Sequence, residues 1–267
     1  MCSALLGMRY SFVRIRPIFR ALDLCTDKLV LSCNIPSTPV RNAAHSASFN
    51  KVFCIGLHKT GTRSLHSLFK SLGMRSRHDT MWDKAVLPMH VYRHYHCFSD
   101  GGAHFWDDHL EFGGNHRIRL FDHCFPNSKF ILNTRELGSW LVSKMIHAGW
   151  TPDTTLINDL AGKLKHGHWR RKSIDVIVGW IKNRKKYHQK VLDYFKDRPH
   201  DLMVLDFASD EKAVEKTLCF LGITDERSSK PWKGKSTKTV HRQYYEEIVK
   251  KALERLHLPE SILKERL

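Results

Sequence analysis

The sequence predicts an α/β fold in three layers, with a central parallel sheet flanked by helices. Three observations lead there. Short apolar runs recur along the chain at 51–56, 128–135 and 202–207, and each reads as a buried strand. Each run is followed by a segment with apolar residues at helical spacing, and strands that alternate with helices pair in parallel under helices on both faces. Third, "FCIGLHKTGTRSL" (53–65) reads as an apolar strand, a tight Gly/Lys/Thr turn and the start of a helix. That is how a phosphate-cradling loop is built, so the sandwich is of the P-loop type.

Taken in order, residues 1–49 stand apart from the rest. They carry Arg9, Arg14, Arg16, Arg20, Lys28 and Arg41 against Asp23 and Asp27. An Arg-rich, acid-poor stretch fits an organelle-targeting peptide, and it fits a flexible extension or linker equally well. The domain proper is expected over 50–267. "KVFCIG" forms the first strand, and 62–72 the first helix, with Leu65, Leu68, Phe69 and Leu72 on one side. Residues 80–125, rich in His, Trp, Asp and Gly, read as short helices and loops around a substrate site. "SKFILNTR" (128–135) is a second strand and 137–147 a helix. Residues 149–168 read as a mobile loop with a short helix. A long amphipathic helix is predicted over 169–195, its "KNRKKYHQK" stretch mostly wet. "LMVLDF" (202–207) is a third strand, and the helix over 212–221 stops at Gly222, a residue free to take the left-handed cap. A basic loop, "SSKPWKGKSTKTV", precedes a last helix at about 243–256.

Composition narrows the function. With 267 residues the chain can enclose one large core. It has 44 basic and 27 acidic side chains, a formal charge of +17, and such a field attracts anions. No nucleic-acid fold signature accompanies the charge, which argues against nucleic acid as a partner. No run approaches the roughly 18 apolar residues of a membrane helix. The seven cysteines are scattered without a CxxC pair, which points to a reducing, cytoplasmic compartment and no structural zinc.

The loop carries the chemistry. Gly56 and Gly61 let the backbone turn and approach a ligand. The helix starting near Thr62 directs its free N–H groups into the turn, where they favour an anion. Lys59 adds a charge, and Thr60, Thr62 and Ser64 add hydroxyl donors. A Walker A loop would close with Gly-Lys-Ser/Thr, but Gly61 is followed by Thr62 and Arg63. The hydroxyl that holds Mg²⁺ after the lysine is missing from its place, so metal-free transfer of a less charged group is expected.

With these residues in view, "IGLHKTGTRSL" resembles the 5′-phosphosulfate loop of sulfotransferases that use 3′-phosphoadenosine 5′-phosphosulfate (PAPS). "FPNSKFILNTRELGSWLVS" is similar to the same family's 3′-phosphate segment, a strand ending in Arg with a Ser eight residues on, here Arg135 and Ser143. "LDFASDEKAVEKTLCFLGI" resembles its third-strand region, so the likeness covers residues 51–222 and looks closer to the small soluble bacterial-type branch than to the Golgi enzymes. It departs from the family at His58, where Pro is common, and at Arg63, where Thr or Ser is common; Arg63 either tightens phosphate binding or points to solvent.

The resemblance implies in-line transfer of a sulfuryl group from PAPS to a hydroxyl or amine of a small-molecule or glycan acceptor, with an anionic acceptor suggested by the charge. Lys59 would stabilise the leaving phosphate, assisted by Thr60, Gly61, Thr62, Arg63 and Ser64. "CFSD" resembles the "AFTD" of related sequences, which makes Asp100 the first candidate for the base, with His104 and His123 as alternatives. Some family members close over the cofactor with a basic Lys-Gly segment, which Lys233, Gly234 and Lys235 match loosely. Phe207 either stacks on adenine or belongs to the core. Two other classes stay open: a nucleotide kinase or other P-loop NTPase, and a nucleotide-binding protein without turnover.

Overall fold

Alternation along β1 (Val52–Cys54) divides the core into two. Successive side chains of a strand point to opposite faces. Phe53 therefore enters one apolar cluster while Val52 and Cys54 enter another, and all three are fully buried. In the computed structural model, which describes residues 49–84, 87–101, 114–154, 156–158, 170–224 and 241–267, the same division recurs in the neighbouring buried strands. The extension over 1–48, the basic loop with Lys233, Gly234 and Lys235, and His104 lie outside the described residues.

α1 (Thr62–Ser71) leads to β2 (Ser76–His78), α2 (Met89–His94) and β3 (Cys97–Ser99). α3 (Gly114–Cys124) precedes β4 (Lys129–Asn133), and α4 (Leu137–His147) follows it. β5 (Leu156–Asn158) and β6 (Arg170–Lys172) form a separate antiparallel pair. The long α5 (Ser173–Phe195), β7 (Leu202–Leu205), α6 (Ala213–Leu221) and α7 (Arg242–Leu256) complete the described elements, with a 3-10 turn at Glu260–Lys264. The central sheet has five parallel strands in the order β2-β3-β1-β4-β7.

The layers follow from the strand alternation. Phe53, Phe98, Phe130 and Leu132 face α3, α4, α5 and α7, whereas Cys54, Cys97 and Ile131 face α1 and α6. Phe53 is the hub of the first cluster, its ring 5.0–5.6 Å from those of Trp82, Phe98, Phe121 and Phe130. Truncating such a ring to Ala costs about 3–5 kcal/mol, from lost transfer energy and the cavity left behind. Cys54 is a small hydrophobe in this setting, and burial pushes its thiol pKa up. α6 ends at Gly222 in the left-handed conformation (φ 63°), as the sequence predicts. β1 and β4 are adjacent at the centre, so the chain segments leaving their carboxyl ends open into one crevice, the place where open α/β sheets bind ligands.

Three segments differ from the sequence expectation. β2 and β3 fall in stretches without strand periodicity, because strands of three residues are too short to show any. The long helix begins at Ser173, since Arg170–Lys172 pairs with Leu156–Asn158 instead. Its "KNRKKYHQK" stretch is not uniformly wet: Arg184, Tyr187 and His188 are buried.

His188 sets a pH dependence. Among the described residues neither of its ring nitrogens has a hydrogen-bond partner. Burial first, and the nearby Arg184 second, hold its pKa down to about 3 against an ordinary 6.5. Between these values the unfolded chain binds a proton that the fold refuses, so stability rises with pH through this window. The stability His188 supports is complete above about 6.5 and is lost as pH falls toward 3. Chemical denaturation at pH 7 and pH 5 should show His188→Leu losing about 2 kcal/mol less than the wild type on acidification. Equal losses would show that His188 titrates normally.

Candidate functional site

The β1–α1 loop is held from the far side of the sheet. Asn133, at the carboxyl end of β4 and fully buried, accepts a hydrogen bond from the Gly56 N–H on Oδ1 at 3.0 Å. Its Nδ2 donates to the Thr60 hydroxyl, which in turn donates to the Leu57 carbonyl. The Trp140 indole N–H of α4 donates to the His58 carbonyl at 2.9 Å. From α5, the Tyr187 hydroxyl donates to the Ile55 carbonyl at 2.5 Å. These bonds occupy the carbonyls of Ile55, Leu57 and His58.

Gly56 is required by close approach. A Cβ there would sit 1.9 Å from the Asn133 carbonyl oxygen and 2.5 Å from its Cγ, inside any tolerable contact. Gly61 is required by conformation: it caps α1 at φ 91°, and its carbonyl accepts from the N–H groups of Ser64 and Leu65 at 3.0 and 3.1 Å. The N–H groups of Thr62 and Arg63 have no intrahelical acceptor, as at any helix start. Lys59 takes a left-handed φ of 69° between the two glycines.

A cavity of about 1320 Å³ opens over this loop. Lys59, Gly61, Thr62, Arg63 and Ser64 line it from the loop and α1, and Arg135 and Ser143 line it from β4 and α4. Thr60 is not on that lining; its side chain is buried beneath, bracing the loop. Arg135 Nη1 reaches the Lys59 carbonyl at 3.4 Å. Phe207, after β7, is both core and lining: it is buried, and its Cβ would lie 3.3 Å from a Cβ placed on Gly61.

The electrostatics show a surplus of positive charge. Burial first, then the repulsion of Arg63 and Arg135, lowers the Lys59 pKa, with Asp100 opposing. The Arg135 pKa is lowered by burial, against the pull of Asp206 and Glu136. Arg63 and Arg135 both act on Lys59, so an anion in the cavity would relieve that repulsion.

Asp100 lies at the end of β3 with a left-handed φ of 68° and lines the cavity. The Thr62 hydroxyl donates to its Oδ1 at 2.9 Å. His58 Nδ1 stands 3.5 Å from Oδ1, and His78 Nε2 stands 3.8 Å from Oδ2. On its other side the His78 ring places Nδ1 3.0 Å from Ser99 Oγ, a contact whose direction depends on the tautomer. Burial, opposed by Asp100, lowers the His78 pKa. His123, the other described candidate for a base, is exposed near the end of α3 and does not line the cavity.

Sequence reasoning missed Asn133, His78 and His147. A polar residue closing an apolar strand, as in "FILN", is a readable signal for Asn133. Nothing local marks His78 or His147, which also lines the cavity and whose pKa burial and Lys59 lower. Among the described residues no group of three or more His, Cys, Asp or Glu is arranged to hold a metal. No described helix is long and apolar enough to cross a membrane.

A family model described as a sulfotransferase domain matches residues 51–257. No curated protein matches the chain.

The loop geometry predicts that Gly56→Ala cannot be absorbed locally, because the added methyl meets backbone. Thermal unfolding should show a loss of about 3 kcal/mol or more, the range of severe overpacking. A variant as stable as the wild type would contradict the close approach of the loop to β4.

Proposed function

The chain belongs to the sulfotransferase family, and from that premise we propose that it moves a sulfuryl group from PAPS to a hydroxyl or amine of a small-molecule or glycan acceptor. The observation that carries this reading is the convergence of Lys59, Arg63 and Arg135 on one cavity at the start of α1. The donor fits that residue set. Lys59, Arg63, Ser64 and the N–H groups of Thr60–Thr62 would hold the 5′-phosphosulfate, and Arg135 with Ser143 would hold the 3′-phosphate. When bound, PAPS supplies an activated sulfuryl group on a phosphate leaving group.

The chain's own part is positioning and charge. In the transfer the sulfur–oxygen bond to the phosphate breaks, a bond from sulfur to the acceptor forms, and 3′,5′-adenosine bisphosphate leaves. Lys59 would neutralise charge growing on the leaving phosphate, the type of preorganised stabilisation that dominates such reactions. The acceptor's proton would pass to Asp100, which needs only to lie within hydrogen-bond reach of it. His104, Lys233 and Gly234 keep their proposed roles as alternative base and cofactor-closing segment. A reducing, cytoplasmic setting remains the proposal for the whole protein.

One observation favours a second reading, a Mg²⁺-dependent kinase or NTPase: the Thr62 hydroxyl on the Asp100 carboxylate at 2.9 Å is a pairing of groups that also suits a cation. A single assay separates the two. Incubation with ³⁵S-PAPS and a panel of hydroxyl and amine acceptors, in EDTA, should give labelled product, and Lys59→Ala should reduce it at least about 100-fold. No label transfer from PAPS, with Mg²⁺-dependent turnover of ATP in the same preparation, would favour the second reading.

Arg135→Ala gives an independent check. If Arg135 reads the 3′-phosphate, calorimetry should show binding of 3′,5′-adenosine bisphosphate weakened by about 1.5–3 kcal/mol, the value of a lost charge-assisted bond. Adenosine 5′-phosphate should be nearly unaffected. Equal losses for both nucleotides would contradict the assignment.

A further inference from the structure

The chain beyond α7 is tied to the segment that carries Arg135. The 3-10 turn Glu260–Lys264 packs on α4, where a Cβ on Gly138 would lie 3.3 Å from Leu263 Cβ. Glu260 and Leu263 line the cavity. The Leu137 N–H donates to the Glu265 carbonyl at 2.9 Å, and the Thr134 hydroxyl donates to the Arg266 carbonyl. The Arg266 side chain returns the contact, with Nε on Asp206 Oδ2 at 2.8 Å and Nη2 on Glu136 Oε1 at 3.3 Å.

Arg184 of α5 joins these parts. It is 4% exposed and its guanidinium lies over the Trp140 ring at 5.2 Å. Its Nη2 makes two short bonds, to the Arg135 carbonyl at 2.6 Å and the Arg266 carbonyl at 2.7 Å. Burial lowers its pKa to about 10 while Asp206 and Glu265 oppose, so it stays charged at neutral pH. A buried guanidinium with its short bonds on main-chain carbonyls is a costly way to fill space, since an apolar side chain would pack there without the desolvation penalty. What the arrangement secures is the backbone at Arg135.

We propose that Arg184 and residues 259–266 form a clasp that positions Arg135, so that groups outside the anion site set its selectivity for a 3′-phosphate. Arg184 is a positioning residue in this scheme, because it holds the main chain from which the Arg135 side chain enters the cavity. The clasp residues 259–266 lie past the end of the family match.

The inference rests on the reading of Arg135 as the 3′-phosphate ligand, and two measurements on the full chain separate the two. Calorimetry with 3′,5′-adenosine bisphosphate and adenosine 5′-phosphate would be run on wild type, Arg184→Met and the half-exposed Arg266→Ala, the last chosen because it keeps the core intact. Both variants should lose about tenfold in bisphosphate affinity and less than about twofold for the 5′-phosphate, the difference expected from one misplaced charge-assisted contact. Hydrogen exchange should be faster over 134–138 in both. Parallel losses for the two nucleotides would reduce Arg184 to a structural role and overturn the proposal. A wild type that binds both equally removes the 3′-phosphate assignment and the ligand half of the inference. Unchanged exchange over 134–138 in Arg266→Ala removes the clasp itself.

Discussion

The buried amide of Asn133 is the constraint on which the site depends. One side chain accepts from Gly56 and donates to Thr60, so both ends of the β1–α1 turn are referenced to the end of β4. Gly56 lies against the Asn133 backbone with no room for a methyl, which sets the distance between the two segments as well as their orientation. Because Arg135 follows Asn133 by two residues, the link fixes the lysine of one segment relative to the arginine of the other. Loop position, cation spacing and sheet register are thereby one geometric problem with one solution.

Around that link the fold supplies hydrogen bonds from all sides. Trp140 reaches the loop from α4, Tyr187 from α5 and Asp100 contacts Thr62 from β3. A loop braced at so many points needs little rearrangement to receive an anion, and preorganised dipoles are worth more than ones that must turn to meet a charge. The repulsion that Arg63 and Arg135 exert on Lys59 is part of the cost of keeping them there without one. Burial first, and that repulsion second, lower the Lys59 pKa.

What could be read from the sequence was what is local. The turn between Gly56 and Gly61, α4 at Leu137–His147 and the Gly222 cap each carry their own chemistry, and the structure has them at those residues. Lys59, Thr62, Asp100, Arg135 and Ser143 share one cavity because two short motifs follow adjacent strands. What escaped was decided by distant partners. Arg184, Tyr187 and His188 sit in a basic stretch whose pattern looks solvated, yet the Ile55 carbonyl and the backbone at Arg135 draw two of them inward. β2 and β3 are short and partly polar, and only pairing beside β1 makes them strands. His78 enters the site through that pairing, with Ser99 beside it.

Lys59 and Asp100 both hold left-handed backbone angles without being glycine, and of the four described residues that do so they are the two that line the cavity. Each such residue costs on the order of 1 kcal/mol, and glycine would remove the cost at either position. Replacement there would relieve the backbone while deleting the ammonium or the carboxylate from the cavity, and with the carboxylate its bond to Thr62. The two angles thus mark where durability and activity are in direct competition, and where stabilising designs should leave the natural residue in place.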